Sequence, residues 1–201
     1  MAAQQLVILG GTGFLGSRLL PRLVADGHHI VLLSRNREQK RSLGVLPNVH
    51  VHTADVHDPA SLRSELRGAD AVINLVGILN PQRQQTFQHV HVELPDKLIE
   101  ACRATGVGRL HQMSALKAGQ GLSQYLKSRG EMEEHVRASA LDWTLYQPSV
   151  MFGEGDGLVS RFAKLLRSMP VLPLARASSR RAPTWVGDVA EAIARCVDHA
   201  T

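Results

Sequence analysis

An α/β fold built on a doubly wound parallel sheet is what this 201-residue sequence predicts. Three observations predict it. Short aliphatic runs alternate with stretches of helical spacing, the pattern of βαβ units. Most of those runs are apolar at nearly every position, as strands covered by helices on both faces must be. A glycine-rich turn joins the first run to the first helix. Composition agrees, since 44% hydrophobic and 20% charged residues suit a folded globular chain and not a disordered or fibrous one. The length fits a single domain, 1–201, with one sizeable core.

The predicted strands are Leu6–Leu9, Ile30–Leu33, Val49–His52, Ala71–Leu75, Arg109–Met113 and Trp143–Tyr146. Phe14–Ala25 predicts the first helix, because Leu15, Leu19, Leu23 and Val24 share a stripe and Gly27 follows where a C-terminal cap belongs. Asp58 before Pro59 combines an N-cap with proline at the first helical position, opening Pro59–Leu66. In the helical stretch Gln84–Thr105, Pro95 either kinks the helix or marks a start near Leu94, and a kink is the expectation. Tyr125 lies on an amphipathic helix, and Asp188 opens Val189–Val197. From Pro148 the alternation loosens into a loop with Gly153, Gly155 and Gly157, a helix near Val159–Leu166, and the proline- and arginine-rich Pro170–Pro183. Residues 148–185 are therefore expected to form a partial, substrate-side lobe.

Several classes drop out. The longest uncharged apolar run, Ala71–Leu79, falls well short of the roughly 20 residues a spanning helix needs. Met1–Gln5 lacks the basic stretch of a secretory leader, so the cytoplasm is the expected compartment. Cys102 and Cys196 stand apart without CxxC spacing and are expected to be buried free thiols. His50 with His52, and His89 with His91, are spaced in pairs, but no carboxylate or cysteine falls at ligand spacing with them, so no metal site is expected. A net charge of +5 suits an anionic partner, a phosphate-bearing ligand or peripheral contact with a membrane surface. Nucleic acid is not expected: aromatics are 4% of the chain, and none is interleaved among Arg35–Arg41 or Arg176–Arg181.

Gly10-Gly11-Thr12-Gly13-Phe14-Leu15-Gly16 follows an aliphatic strand and opens a helix, the context in which such a run binds a dinucleotide diphosphate. Gly10 permits a tight turn, Gly13 lets backbone approach the diphosphate, and Gly16 lets the helix pack close to the sheet. Thr12, Phe14 and Leu15 complete the turn, and the helix start offers unpaired N–H groups to phosphate. A fold of this kind is a Rossmann fold. NAD would call for a carboxylate about 20 residues further on, to bind the ribose 2′-hydroxyl. The sequence supplies Ser34, Arg35 and Arg37 there, groups that suit a 2′-phosphate and so favour NADP.

The chain resembles the short-chain dehydrogenase/reductase superfamily in its extended or atypical branch, alongside the nucleoside-diphosphate-sugar epimerases and dehydratases. Within that branch it is most similar to the nucleotide-binding accessory subunits of respiratory complex I and their bacterial relatives. The resemblance runs from Leu6 to the C-terminus. It rests on the glycine turn, Ala54-Asp55-Val56, Asn74-Leu75-Val76-Gly77, Met113-Ser114-Ala115-Leu116, Tyr125-Leu126-Lys127-Ser128-Arg129, Gln147-Pro148-Ser149-Val150 and Val186-Gly187-Asp188-Val189-Ala190. It implies that Asp55 and Val56 hold the adenine, that Leu75, Val76 and Gly77 line the ribose and diphosphate, and that Pro148, Ser149 and Val150 approach the nicotinamide. It also implies a protein partner in a respiratory complex.

Enzymes of the superfamily use a tyrosine as general acid or base, a lysine four residues later and a serine that orients the substrate carbonyl. Ser114 and Tyr125 match, while Arg129 takes the lysine position. Residues four apart share a helix face, so Arg129 can stand beside the phenol, but its planar, permanently protonated fork does not replace an ammonium group. Lys127, two residues along, points elsewhere. Two readings follow: a cofactor held for structure or assembly, and an NADP-dependent oxidoreductase or epimerase using Ser114, Tyr125 and Arg129. Family members continue beyond the position of Val189–Val197, so the resemblance also implies a shortened, apparently truncated C-terminal lobe here.

Overall fold

The computed structural model describes residues 2–35, 46–83, 85–157, 165–168 and 182–198. Six parallel strands form one sheet: β1 (Gln5–Leu9), β2 (His29–Ser34), β3 (Val49–Thr53), β4 (Ala71–Asn74), β5 (Arg109–Met113) and β6 (Asp142–Tyr146), in the order β3-β2-β1-β4-β5-β6. All six expected strands are present. The order reverses between β1 and β4, and that is where an open α/β sheet leaves a crevice at the carboxyl ends of its strands. β7 (Met151–Phe152) and β8 (Thr184–Trp185), which the sequence did not suggest, pair in parallel as a separate ribbon.

Alternation along each strand sends side chains to opposite faces, and both faces are covered. Leu6 and Ile8 of β1 join Ile30, Leu32 and Ile73 under α1 (Gly16–Ala25) and the C-terminal helix Val186–Asp198. Val7 and Leu9 join Leu33, Val72 and Leu110 under α2 (Pro59–Glu65), α3 (Leu94–Thr105) and α4 (Gln124–Arg137). Each such side chain contributes about 1.5 to 3 kcal/mol by leaving water. Cys102, wholly enclosed in this second layer, has its thiol pushed up to about 12 by burial and is inert, whereas Cys196 is half-buried.

The caps show how local sequence sets the ends. Asp58 accepts hydrogen bonds from the Ala60 and Ser61 amides at 3.2 and 2.9 Å, with Pro59 next in the chain, as the sequence predicts. α1 begins at Gly16, two residues later than expected, because residues 11–15 form the turn itself. The last helix, α5 (Val186–Asp198), begins ahead of Asp188, which sits in its first turn where a carboxylate meets the positive end of the helix dipole. At Pro95 the winding changes: Gln88–Glu93 is a π-helical turn that runs directly into α3. The Leu94 amide donates to the His89 carbonyl five residues back, and Pro95, with no N–H, needs no acceptor. Of the expected helix near Val159–Leu166, residues 158–164 lie outside the described residues and 165–168 are helical. Most of Pro170–Pro183 and the basic run Arg176–Arg181 also lie outside them.

Candidate cofactor site

The crevice between β1 and β4 opens onto a cleft of about 320 Å³, within the range of small-molecule sites. Gly10 and Thr12 form its floor, Leu33, Ser34 and Arg35 its β2 side, Val56 and His57 its β3 side, and Val76, Gly77 and Ile78 its β4 side. Gly10 has φ +76°, and a Cβ there would lie 2.9 Å from the Val76 amide nitrogen, so only glycine lets the turn close against the loop after β4. At Gly16 a Cβ would overlap the Gly11 carbonyl, which is how α1 comes to lie against the turn. Gly13 is different. Exposed on the turn, it donates to the Gly10 carbonyl at 3.0 Å and would place a Cβ near that oxygen alone.

Among the described residues the main-chain N–H groups of Thr12, Phe14 and Leu15 donate to no protein acceptor, and Leu15 at the helix N-cap has no side-chain cap. No acidic residue sits in the first turn of α1. Orphan amides and a positive helix end are a setting for an anion, and the residues present fit a dinucleotide diphosphate. Phe14 turns away from the cleft towards Gly153 and Gly155, while Leu15 and Gly16 pack into the fold.

Two buried amides fix the β4 rim. Asn74 donates to Gln112 Oε1 at 2.9 Å and accepts from the Val76 amide at 3.1 Å, which bends the chain after β4 so that Val76 and Gly77 face the cleft. Leu75 instead packs into the core beneath. On the β3 side, exposed Asp55 accepts from the His57 amide at 2.9 Å, a turn that carries Val56 and His57 to the rim while its own side chain stays outside the lining. His57 stacks on His89 with ring centroids 3.9 Å apart. Its pKa is lowered by burial first, then by His89 and Lys97. Arg37 lies outside the described residues.

A second cluster lies along the β5 and α4 side. Tyr125, Arg129, Glu133 and Arg137 fall at every fourth position, one face of α4. The Arg129 guanidinium sits 5.6 Å from the Tyr125 ring centroid, donates to the Met113 carbonyl at 3.1 Å, and packs so closely on Gly77 that a Cβ there would overlap it. Burial lowers its pKa, opposed by Tyr125 and Glu133. Ser114 is buried and its hydroxyl donates a hydrogen bond to Glu133 Oε1 at 2.5 Å. The same carboxylate accepts from Gln147 at 2.6 Å and Arg137 at 2.8 Å. Thus Tyr125 and Arg129 are brought together, whereas the Ser114 hydroxyl is committed to Glu133. Pro148 and Val150 use their carbonyls to hold Leu116 and Thr184, with Ser149 half-buried between them, and none of the three lines the cleft.

His57, Ile78 and Glu133 were not singled out from the sequence; Asn74 and Gln147 stood there only within motifs, and His91 only beside His89 in a rejected metal pair. The i, i+4, i+8 spacing from Tyr125 to Glu133 was a usable signal for the last helix position, and His57 directly follows Val56. His52 pairs with Glu65 at 2.7 Å and His89 with Glu93 at 2.9 Å, and no group of three or more His, Cys, Asp or Glu among the described residues is arranged to hold a metal. No helix among them is long and apolar enough to cross a membrane.

The family model for NAD(P)H-binding proteins matches residues 10–200. The chain is 29% identical over 194 residues to the mitochondrial NADH dehydrogenase [ubiquinone] 1 alpha subcomplex subunit 9 of Rattus norvegicus, covering 93% of this chain and 51% of that protein. It is 32% identical over 184 residues to the ceramide reductase of Caulobacter vibrioides, covering 91% of this chain and 57% of that one. The chain spans about half the length of the curated relatives it matches. In fold it is similar to the dTDP-glucose 4,6-dehydratase DesIV of Streptomyces venezuelae with bound NAD (TM-score 0.81, 21% identity, 97% of this chain and 72% of that one). The UDP-glucose 4-epimerase of Thermus thermophilus in complex with NAD is similar too (TM-score 0.78, 22% identity, 97% and 75%).

Proposed function

The chain belongs to the NAD(P)H-binding family, in the atypical short-chain dehydrogenase/reductase and NAD-dependent epimerase-like lineage, and from that premise we propose that it holds NADP(H) for a structural or assembly role in a respiratory or redox complex. In this reading it is one dinucleotide-binding domain with a partial substrate-side lobe over residues 148–185, working in the cytoplasm and meeting its protein partner through the complex.

The observation that carries NADP over NAD is the pair Ser34 and Arg35 on the cleft at the end of β2, where a carboxylate would serve a free ribose 2′-hydroxyl. A guanidinium fork matches phosphate geometry and gains from its charge, whereas a carboxylate repels it. The amides of Thr12, Phe14 and Leu15 would grip the diphosphate, and Val56 and His57 would flank the adenine. When bound, the nicotinamide supplies a hydride donor or acceptor.

The structural role rests on what the β5 and α4 side has left over. A serine that orients a carbonyl must point its proton at substrate, and the Ser114 hydroxyl donates its hydrogen bond to Glu133. Tyr125, half-buried beside Arg129, keeps a second reading open: an NADP-dependent oxidoreductase or epimerase in which the phenol hydroxyl serves as general acid or base. Calorimetry separates the cofactors. NADPH should bind more tightly than NADH, and Arg35→Asp should lower that preference by about tenfold or more, roughly the loss of one charge-assisted contact. An unchanged ratio would refute the NADP assignment. Oxidation of NADPH by carbonyl or sugar-nucleotide substrates, abolished in Tyr125→Phe, would establish the enzymatic reading instead.

A further inference from the structure

His91 is wholly buried and joins two elements of the site. Its Nε2 accepts from the Ile78 amide at 3.1 Å, and Ile78 lines the cleft. A nitrogen that accepts carries no proton, so in the neutral ring the proton sits on Nδ1, which lies 2.9 Å from Ser128 Oγ. The Ser128 hydroxyl in turn donates a hydrogen bond to the Tyr125 carbonyl at 2.9 Å. One tautomer and one hydroxyl orientation satisfy every contact in this chain. We propose that His91 is a positioning residue that couples the cleft to α4, holding the cleft-lining backbone at Ile78 with one nitrogen and the first turn of α4, which carries Tyr125, with the other.

This deepens the cofactor reading and rests on it. Three further features bear on the coupling. Phe87 stacks on the imidazole and Tyr125 meets it edge-on, with centroids 5.3 and 5.4 Å away, so the ring cannot turn to exchange its partners. The adjoining contact of Arg129 with Gly77 ties the same loop to the same helix a second time. The π-helical turn Gln88–Glu93 inserts an extra residue ahead of α3, which shifts the facing of residues before it by about 100° relative to those after it. His91 thereby meets α4 while Leu94 and Leu98 stay in the core. Burial and Arg129 hold the imidazole at about 3, so it stays neutral and both bonds persist across physiological pH.

The test uses the whole chain and NADPH itself. In His91→Gln the amide can accept from Ile78 and donate to Ser128, whereas His91→Leu fills the space and can do neither. The coupling predicts that His91→Gln protects the Ile78 amide from hydrogen exchange and binds NADPH within about threefold of the wild type, while His91→Leu loses that protection and binds about tenfold more weakly or worse. Should His91→Leu fail to fold, Ser128→Ala carries the test. NADPH is expected to slow exchange of the α4 amides around Ser128 in the wild type, and that slowing is lost in Ser128→Ala. A folded His91→Leu with wild-type affinity, or slowing that survives in Ser128→Ala, overturns the coupling alone. A wild type that binds neither NADPH nor NADH overturns the cofactor reading beneath it.

Discussion

The two sides of the sheet's carboxyl edge spend their polar groups differently. Along β1 and β2 the cleft is built from glycine backbone, and the amides of Thr12, Phe14 and Leu15 have no protein acceptor among the described residues. Along β5 and α4 the polar side chains serve one another: Ser114, Gln147 and Arg137 converge on Glu133, Arg129 on Met113, and His91 on Ile78 and Ser128. A site with donors to spare receives a ligand without first breaking bonds, whereas one whose donors are engaged holds its own geometry. The first side has the physical character of a binding surface and the second that of a scaffold beside it.

The sharpest way to break this contrast is at the turn. Gly16→Ala drives a methyl into the Gly11 carbonyl, in backbone with little room to yield, and is expected to cost about 3 kcal/mol by urea denaturation and to abolish cofactor binding. Gly13→Val, at an exposed position, is expected to leave the fold intact and remove NADPH binding alone; equal loss of stability at both positions would contradict the division of labour within the turn.

On the scaffold side the largest effect comes from acid. Burial, helped by Arg129 at His91 and Arg109 at His111, holds both folded-state imidazoles at about 3, against an ordinary value of 6.5. The folded state therefore binds fewer protons than the unfolded one. Their contribution is complete above about 6.5 and is lost as pH falls from there towards 3. Each imidazole should cost about 2 kcal/mol of stability by pH 5. His91→Gln should remove its share, so the difference in stability between pH 7 and pH 5 shrinks; an unchanged difference would show that His91 titrates freely.

Glu133→Gln faces the Ser114 and Arg137 donors with an amide and is expected to cost about 2 kcal/mol, with NADPH affinity unaltered. Weakened binding there would mean that the Glu133 cluster, and not His91 alone, bears on the ligand. The smallest effect is expected at Arg18→Ala. Its partner Glu154 is 91% exposed, and the pair should contribute less than about 0.5 kcal/mol.

The same contrast explains what could be read from the residues alone. The strands and the glycine turn are local matters: Leu6–Leu9 is apolar because both faces are covered, and Gly10 and Gly16 stand where a Cβ would strike backbone. Arg35 declares itself by following its strand directly. The scaffold is assembled from residues distant in sequence, Asn74 with Gln112 and His91 with Ser128, and a buried polar pair leaves no periodic trace in either partner. The π-helical turn was hidden for a related reason. Pro95 announces a missing donor, but whether the chain kinks or widens depends on the packing of His91 against α4.

The most direct test of the account is a crystal structure of the chain with NADPH. The diphosphate should lie over the amides of Thr12, Phe14 and Leu15, with the adenosine end reaching Ser34 and Arg35. A ligand lodged elsewhere, or a turn whose amides are covered by side chains, would contradict it.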